Sequence, residues 1–431
     1  MKQLKVIVIG AGARGNTYSR HMNSMPEKYQ IVGVAEPHAY KRAEFAKAYS
    51  IPEECCYESW EDILALPKFA DVALITTNDD LHYEPTMRAI ECGYDILLEK
   101  PVAQKAEECI AIANAAKKKG VRALVCHVLR YTPFYKTLKR IVDSGMIGEV
   151  MSVEQVEAIG NTHFAHSYVR GNWHDSGATT PIVLAKTCHD LDIIQWIVGK
   201  SCARVSSFGE LTYFTEKNAP EGAPIRCSTG NCPERGRCPY DCFTTYVENP
   251  HNMWFKPYFR SAVATHENFT EEEYMKALDF TDYGLCVFHA NNNVPDHQVV
   301  SMQFDGGATA QLTFNAFNHG GRYTRIYGTK GEVYAHEAAK EIPLFTLSDR
   351  KTQMIPVEYT EQSHKGGHGG GDYGIVYDLY DYLNGTYSGP DIAEIGISVE
   401  NHLIGFAAEE ARLEGSVVDV RSFEKAHTRD A

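Results

Sequence analysis

The feature that most constrains this chain is an apolar run near its start that breaks into a glycine-rich turn. Residues 4–9 are followed by Gly10, Gly12 and Gly15 in a Gly-x-Gly-x-x-Gly pattern. This order predicts a buried strand, a tight turn and a helix that opens at about Arg14. Gly10 would take the turn, Gly12 would admit a pyrophosphate, and Gly15 would let the helix lie close to the strand.

A second apolar run, residues 31–35, ends at Glu36. A carboxylate about twenty residues beyond the last glycine would hydrogen-bond the adenosine ribose of a dinucleotide. The context therefore favours dinucleotide binding over a glycine turn that serves packing alone. The charge of Glu36 would repel a ribose phosphate and favours NAD over NADP. The positive charges of Lys41 and Arg42 would attract that phosphate and favour NADP.

Short apolar runs alternate with helical stretches up to about residue 126, which predicts βαβ units and a parallel sheet. Two of these runs end in polar residues, namely Thr76, Thr77 and Asn78 after one and Glu99, Lys100 and Pro101 after the other. Ligands bind in the crevice outside the carboxyl ends of such strands. We therefore expect the Thr-Thr-Asn segment to line the cofactor or to cap the next helix, and Lys100 to face the crevice.

The composition is that of an ordinary globular chain with room for two domains. There are 42 Lys and Arg residues against 56 Asp and Glu residues, a formal net charge of −14. This charge opposes binding to nucleic acid or to an anionic membrane. The sequence has neither an apolar run of about 18 residues nor a signal-peptide pattern, which predicts a cytoplasmic protein.

Five features of the sequence together resemble the Gfo/Idh/MocA family. They are the glycine turn, Glu36, the Thr-Thr-Asn strand end, Glu-Lys-Pro at 99–101 and the His-x-x-Asp of His189 to Asp192. The members of this family are NAD(P)-dependent sugar and cyclitol dehydrogenases. The resemblance implies an α/β fold with an N-terminal Rossmann parallel sheet over residues 1–130. It also implies an α/β domain on an open, mainly antiparallel sheet over 131–371, and helices over 372–431 that pack back toward the first domain. We expect a homodimer or homotetramer that associates through the second-domain sheet.

Residues Ile182 to Val198 have the pattern of one helix, with His189 off its main apolar stripe. A lone histidine is most often structural, but the resemblance implies that His189 is a catalytic base with Lys100 as its partner. Many family members carry an Asp four residues before this histidine, where the present chain has Ala185. Lys186 would lower the pKa of His189 if the two side chains lie close together.

A polar and aromatic loop over residues 163–175 predicts a binding surface, with packing between domains or subunits as the alternative. The candidates for substrate binding are Tyr131, His166, Arg170, Trp173 and Lys186. The candidates for cofactor binding are Gly10, Gly12, Ala13, Arg14, Gly15, Glu36, Thr76, Thr77, Asn78, His82, Glu99 and Lys100. A glycine-rich stretch over 364–372 is either a flap that brings His368 to the site or a linker.

A cysteine-rich insertion interrupts the second domain at about residues 212–280. It contains Cys227, Cys232, Cys238 and Cys242, separated by four, five and three residues. In a reducing compartment such a cluster favours metal binding over disulfides, although these spacings differ from the usual zinc knuckles. Structural zinc, an iron–sulfur cluster and free thiols stay open as alternatives. Zinc held by four thiolates would have no open position for catalysis.

These features favour an NAD-dependent oxidoreductase that acts on a secondary alcohol of a sugar, glycoside or cyclitol. His189 would take the hydroxyl proton, and Lys100 would hydrogen-bond the same oxygen. One alternative is a redox-neutral glycosidase or lyase that passes through a transient keto-sugar. Another is an NAD-binding regulator without turnover.

Overall fold

The computed structural model describes residues 1–248, 259, 262–263, 269–359 and 366–428. The first strands are β1 (Leu4–Ile9), β2 (Tyr29–Ala35), β3 (Cys56–Tyr57), β4 (Val72–Ile75), β5 (Asp95–Leu98) and β6 (Ala123–Val125). They form a parallel sheet in the order β3-β2-β1-β4-β5-β6. This is the predicted Rossmann arrangement, and the strand order reverses between β1 and β4, where such sheets bind ligands.

Helices cover this sheet, which explains why its strands read as continuous apolar runs. They are α1 (Ala13–Asn23), α2 (Ala39–Tyr49), α3 (Trp60–Ala65), α4 (Tyr83–Glu91) and α5 (Ala106–Lys119). Val6, Ile7 and Val8 of β1 are fully buried, although successive side chains point to opposite faces of the sheet. Both faces therefore contribute to the core of the first domain.

The second sheet has nine strands and is mainly antiparallel, as predicted. The strands are β7 (Val150–Ala158), β8 (Cys202–Glu210), β9 (His297–Phe304), β10 (Thr309–Asn315), β11 (Gly321–Gly328), β12 (Gly331–His336), β13 (Glu341–Thr346), β14 (Lys351–Pro356) and β15 (Val417–Asp419). Their order is β14-β13-β12-β11-β7-β10-β9-β8-β15, with β7 and β10 parallel. Met151, Phe208 and Tyr334 on these strands are exposed apolar side chains. The expected association through this sheet stays a prediction.

The remaining helices join the two sheets. They are α6 (Pro133–Asp143), α7 (Asn161–Phe164), α8 (Ile182–Ala185), α9 (Cys188–Val198), α10 (Glu271–Leu278), α11 (Gly371–Leu383), α12 (Ile395–Glu414) and α13 (Val420–Thr428). Helix α11 lies against α1, and α12 packs between α5 and α9. The predicted insertion over about 212–280 and the last three residues lie in part outside the described residues. Within the described part of the chain, no helix has the length and apolar composition that a membrane crossing requires.

The prediction of one helix over Ile182 to Val198 is wrong at Lys186 and Thr187. The backbone of Thr187, at φ −98° and ψ 10°, leaves the helical region and begins a second helix. Every residue of this second helix, α9, is buried. Periodicity could not reveal its orientation because it has no solvent face.

A buried ion pair fixes α9 against the end of the first domain. The Nε and Nη2 atoms of Arg130 donate to the two carboxylate oxygens of Asp192 at 2.6 and 2.7 Å. Asn401 of α12 donates to the same carboxylate at 2.9 Å. The side chains of Arg130 and Asp192 are only 2% and 1% exposed, so each charge depends on the other for compensation.

We expect Asp192→Ala to lower the free energy of unfolding by roughly 3–5 kcal/mol, since it leaves the Arg130 charge buried without a partner. The control is Glu358→Ala, which breaks the exposed pair between Arg140 and Glu358. That change should cost less than about 1 kcal/mol because water screens such pairs. Urea unfolding followed by fluorescence measures both values, and equal losses in the two variants would contradict this account.

Candidate active site

The glycine turn leaves space for a phosphate group where the sequence predicts it. Gly10 has φ +95°, and a Cβ placed on it would lie 2.7 Å from the backbone of Thr76. A Cβ on Gly15 would lie 2.2 Å from the carbonyl oxygen of Gly10, so this glycine is required for close packing. A Cβ on Gly12 would meet no atom within 4 Å, and Ala13 begins α1 directly after it. The turn and helix N-terminus thus fit a pyrophosphate.

Glu36 lies at the end of β2 and faces this turn. One carboxylate oxygen accepts from the backbone N–H of Ala11 at 2.9 Å, and the other accepts from that of His38 at 3.1 Å. Arg42 donates to the carbonyl of Pro37 at 3.3 Å and pairs with Glu58 at 3.1 Å. The carboxylate therefore sits beside the cofactor turn, while the guanidinium of Arg42 already has an anionic partner.

The polar residues after β4 hold the loops around the crevice. The hydroxyl of Thr76 donates to the carbonyl of Gly10 at 2.7 Å, and that of Thr77 donates to the carbonyl of Leu81 at 3.0 Å. Asn78 precedes a short 3₁₀ turn. The predicted segment thus lies next to the glycine turn.

His82 connects two of these loops. Its Nδ1 atom lies 2.7 Å from the carbonyl oxygen of Pro101, and its Nε2 atom lies 3.2 Å from that of Thr77. Both ring nitrogens are therefore engaged by the protein. His82 therefore positions these loops, and its predicted contact with the cofactor stays a prediction.

Arg14 lies at the centre of a partly buried network that joins the cofactor turn to the C-terminal helices. Its Nε atom donates to Glu99 at 2.6 Å, and its Nη2 atom donates to Asp372 at 2.8 Å. Tyr18 also donates to Glu99, at 2.8 Å. Burial alone would raise the pKa of Glu99, but the charges of Arg14 and Lys100 lower it below its usual range. Arg14 and Glu99 therefore position the loop that carries Lys100 relative to the cofactor turn.

Lys100 follows β5 and reaches into the second domain. Its Nζ atom donates to the carbonyl oxygen of Ala185 at 2.9 Å. Ala185 ends α8, and the break in the helix at Lys186 leaves this carbonyl available to a side chain. A backbone carbonyl of the second domain thus binds the ammonium of the first.

His189 lies beside this ammonium in the first turn of α9. It is 5% exposed, and its Nδ1 atom has no hydrogen-bond partner among the described residues. Burial is the main reason that its pKa lies well below the usual value, and the positive charge of Lys100 is the next. The imidazole is therefore neutral at neutral pH and able to accept a proton.

Further histidines lie near His189, and one of them, His127, was not among the candidates from the sequence. The ring centroids of His127 and His368 lie 5.8 and 6.1 Å from that of His189. Burial lowers the pKa of His127 to about 4, and neither of its ring nitrogens has a partner within the described part of the chain. His368 pairs with Asp372 at 3.1 Å. Its position near His189 agrees with the flap alternative, which stays a prediction. Desolvation is the main reason that the pKa of the half-buried His163 lies below its usual value, and the positive charge of Lys186 is the next.

Two of the five candidates for substrate binding, Lys186 and Tyr131, have surroundings that differ from those of His189. Lys186 pairs with Glu157 at 3.3 Å, within a buried cluster that contains Arg322 and Asp190. Tyr131 is buried in a hydrophobic cluster with residues of α11. The positive charge of Lys186 is thus compensated, and the structure does not bring Tyr131 to His189.

His166 and Arg170 face the insertion. The His166 ring stacks on Tyr283 with centroids 4.9 Å apart. Arg170 donates to the carbonyl oxygens of Leu285 and Tyr240, both at 2.8 Å. These contacts explain the polar loop partly by packing, and the roles of both residues in substrate binding stay predictions. Trp173 packs on Tyr168, and its Nε1 atom is buried without a partner among the described residues.

The four cysteines of the predicted cluster lie near one another in the insertion, together with a fifth. Cys227, Cys232, Cys238 and Cys286 line one cavity, whereas Cys242 is fully buried beside it. Cys286 is distant from the other four cysteines along the chain, so the spacing of the cluster does not indicate its place at this cavity.

The parallel sheet, its strand order and its glycine turn are those of NAD-binding oxidoreductases. The chain belongs to the Gfo/Idh/MocA family. Residues 4–127 match the family model described as an oxidoreductase family NAD-binding Rossmann fold. Residues 139–370 match the corresponding C-terminal alpha/beta domain.

Similar proteins cover the chain to different extents. YteT of Bacillus subtilis (strain 168) is 24% identical over 425 residues, which cover 90% of this chain and 94% of that protein. Inositol 2-dehydrogenase of Klebsiella pneumoniae (strain 342) is 29% identical over 197 residues, 45% of this chain and 54% of the relative. The structure of levoglucosan dehydrogenase in complex with NADH and levoglucosan superimposes with a TM-score of 0.69 at 19% identity, covering 97% of this chain and all of the other.

We expect the neutral state of His189 to depend on the charge of Lys100. Lys100→Met removes one of the causes that lower the pKa of His189, so this pKa should rise toward 6.5. NMR titration of ¹³C-labelled histidine side chains, assigned with a His189→Asn variant, measures the change. The control Lys105→Met removes an exposed charge and should leave the titration unaltered. A pKa of His189 that does not move in Lys100→Met would refute the coupling.

Proposed function

We propose that this protein is an NAD-dependent dehydrogenase that oxidises a secondary alcohol of a sugar, glycoside or cyclitol. A nicotinamide cofactor held at the glycine turn would supply the hydride-accepting group for the carbinol carbon. His189 accepts the hydroxyl proton of the substrate as general base. Lys100 donates a hydrogen bond to the same oxygen and stabilises the negative charge that develops there.

The observation that carries this proposal is the pairing of a fixed ammonium with a neutral imidazole. Nζ of Lys100 is anchored by the carbonyl of Ala185, and an ammonium keeps two further N–H groups for a substrate oxygen. His189 has an unpartnered Nδ1 atom within the described residues. These two groups supply a hydrogen-bond donor and a base for one alcohol oxygen.

The surroundings favour a neutral, hydroxyl-rich substrate over an acidic one. Lys186 has Glu157 as its anionic partner, and the guanidinium of Arg170 is turned into the insertion. A uronate or a phosphorylated sugar would need a free cation at this position. The names of the inositol and levoglucosan dehydrogenases, both acting on neutral polyhydroxy compounds, agree with this choice.

The carboxylate of Glu36 supports NAD over NADP as the cofactor. We expect the wild-type chain to bind NADH more tightly than NADPH, because a ribose phosphate would meet this negative charge. Glu36→Gln keeps an acceptor oxygen and removes the charge, so the preference for NADH should fall by about tenfold or more, a change of about 1.4 kcal/mol. Fluorescence titration with each reduced cofactor gives the ratio of dissociation constants.

Glu54→Ala, which removes an exposed carboxylate outside the crevice, is the control for cofactor preference. It should retain the wild-type ratio. Equal affinity of the wild-type chain for both cofactors would contradict the assigned role of Glu36.

Activity measurements with a panel of cyclitols and glycosides test the catalytic roles. His189→Asn and Lys100→Met should each lower kcat by about 10²-fold to 10⁴-fold. The dissociation constant of NADH should change by less than about threefold, since neither side chain contacts the glycine turn. The matched control is again Lys105→Met. Retained activity in both site variants would contradict the proposal.

Product analysis in the same assays separates the candidate functions. A dehydrogenase forms NADH and a keto product in equal amounts. Release of a leaving group without net NADH would indicate the redox-neutral reaction. NAD binding without turnover on any substrate of the panel would favour the regulator.

A further inference from the structure

The proposed reaction leaves a proton on His189, and the surroundings of this side chain disfavour its retention. The imidazole is buried, and its burial and the positive charge of Lys100 both hold its pKa well below the usual value. A protonated ring beside an ammonium is therefore a short-lived state. Each oxidation of an alcohol must also release this proton to solvent. A neighbouring group that accepts the proton and is open to solvent would complete the reaction.

Two histidines lie next to His189 and are candidates for that acceptor. The ring centroids of His127 and His368 lie 5.8 and 6.1 Å from that of His189. His127 is fully buried, and burial lowers its pKa to about 4. The side chain of His368, in contrast, is 40% exposed. A proton on His127 would stay enclosed in the protein, whereas a proton on His368 is in contact with solvent.

A buried carboxylate beside His368 stabilises a positive charge on its ring. The Nδ1 atom lies 3.1 and 3.2 Å from the two carboxylate oxygens of Asp372. Burial alone would raise the pKa of Asp372, but the charges of Arg14 and His368 hold it far below its usual range. The carboxylate therefore stays ionised and serves as the counter-ion of an imidazolium.

The same contact decides which ring nitrogen of His368 accepts a proton. A neutral imidazole has one nitrogen that donates and one that accepts. Because an ionised carboxylate only accepts, the neutral ring donates from Nδ1 to Asp372 and keeps its lone pair on Nε2. Within the described part of the chain, the hydrogen bonds of this ring are those from Nδ1. The Nε2 atom is therefore available to take a proton from His189.

The backbone around His368 holds the ring in this place. Its φ of 51° lies in the left-handed region, which residues other than glycine seldom adopt. A Cβ on Gly371 would lie 2.2 Å from the carbonyl oxygen of Val128, so the segment packs closely on the turn that follows β6. A residue held in such a conformation costs free energy, and residues of this kind cluster at functional sites.

The other ionisable groups around His368 come from five elements. They are Arg14 in α1, Arg130 in the turn after β6, His163 in α7, His189 in α9 and Asp372 in α11. The guanidinium of Arg14 donates to Asp372 at 2.8 Å, and that of Arg130 pairs with Asp192. Each arginine therefore has a carboxylate of its own that compensates its charge.

We propose that His368 accepts the proton from His189 and releases it to solvent, with Asp372 as its counter-ion. The step rests on the proposed function, because it removes the proton that His189 takes from the substrate hydroxyl. This proton passes from the imidazolium of His189 to Nε2 of His368, directly or through one water. His189 returns to its neutral form, and the imidazolium of His368 gives the proton to a base in the solvent. No other reagent is consumed.

Turnover at low and high buffer concentrations tests this role. We expect His368→Asn to lower kcat by about 10²-fold in dilute buffer, since asparagine tolerates the left-handed backbone but cannot carry a proton. Added imidazole should restore most of kcat because it replaces the missing acceptor, and the solvent deuterium isotope effect on kcat should rise in its absence. KM and the dissociation constant of NADH should change by less than about threefold, which also verifies that the variant is folded.

His297→Asn is the matched control. His297 is likewise an exposed histidine beside a buried aspartate, since its Nδ1 atom lies 2.8 Å from a carboxylate oxygen of Asp296. Its side chain belongs to the exposed face of β9. This variant should keep the wild-type kcat in dilute buffer and should not respond to imidazole.

A second measurement uses the free protein and does not depend on turnover. The ¹⁵N NMR shifts of the histidine rings, assigned with His368→Asn, should show that neutral His368 carries its proton on Nδ1. A proton on Nε2 would contradict the proposal, because that nitrogen could then not accept one from His189.

The outcomes separate this proposal from the proposed function. If His189→Asn loses activity while His368→Asn keeps the wild-type kcat in dilute buffer, the oxidation stands and another group releases the proton. If kcat falls in His368→Asn and imidazole does not restore it, His368 has a structural or substrate-binding role instead. If the wild-type chain oxidises no substrate of the panel, the proposed function is wrong, and the proton release is overturned with it.

Discussion

The hydrogen bond from Lys100 to the carbonyl of Ala185 is the contact on which the proposed chemistry depends. Lys100 follows a strand of the first domain, whereas Ala185 ends a short helix of the second. In a continuous helix this carbonyl would accept a bond from a residue four positions later. The break at Lys186 leaves it available to the ammonium, so an irregularity of the backbone provides an acceptor that the side chain of Ala185 cannot.

The hydrogen bonds and ion pairs around Arg14 connect the cofactor turn with the surroundings of His189, the proposed base. Arg14 lies in the first turn of α1 and binds both Glu99, which directly precedes Lys100, and Asp372. Asp372 in turn pairs with His368, whose ring lies 6.1 Å from that of His189. Arg14 and His368 together hold the pKa of Asp372 far below its usual range. Contacts of charged groups thus connect the glycine turn with both proposed catalytic side chains.

Local sequence rules predicted the parts of this site that follow parallel strands. The glycine turn, Glu36 and Lys100 lie where the carboxyl ends of strands meet, and that position follows from the chain order alone. His127 comes directly after the segment of β6 and satisfies the same rule, so this signal was present in the sequence. His163 and His368 lie in short helical turns that follow no strand of the parallel sheet, and only tertiary structure places His368 near His189. The helix break at Lys186 was hidden because α9 is buried on all sides.

Sequence alone left two interpretations of the polar loop open, a binding surface and packing between domains or subunits. The contacts of the loop differ from residue to residue, so one interpretation does not describe all of it. The positive charges of Lys186 and Lys100 contribute to the lowered pKa of His163. His166 instead stacks on Tyr283, and Arg170 binds carbonyls in the insertion. One short helical segment therefore has one side toward the proposed catalytic groups and another in the core of the insertion. Because such a segment moves as a unit, the packing of the insertion constrains the position of His163. An insertion that lies apart from the reacting atoms can in this way influence the shape of the site.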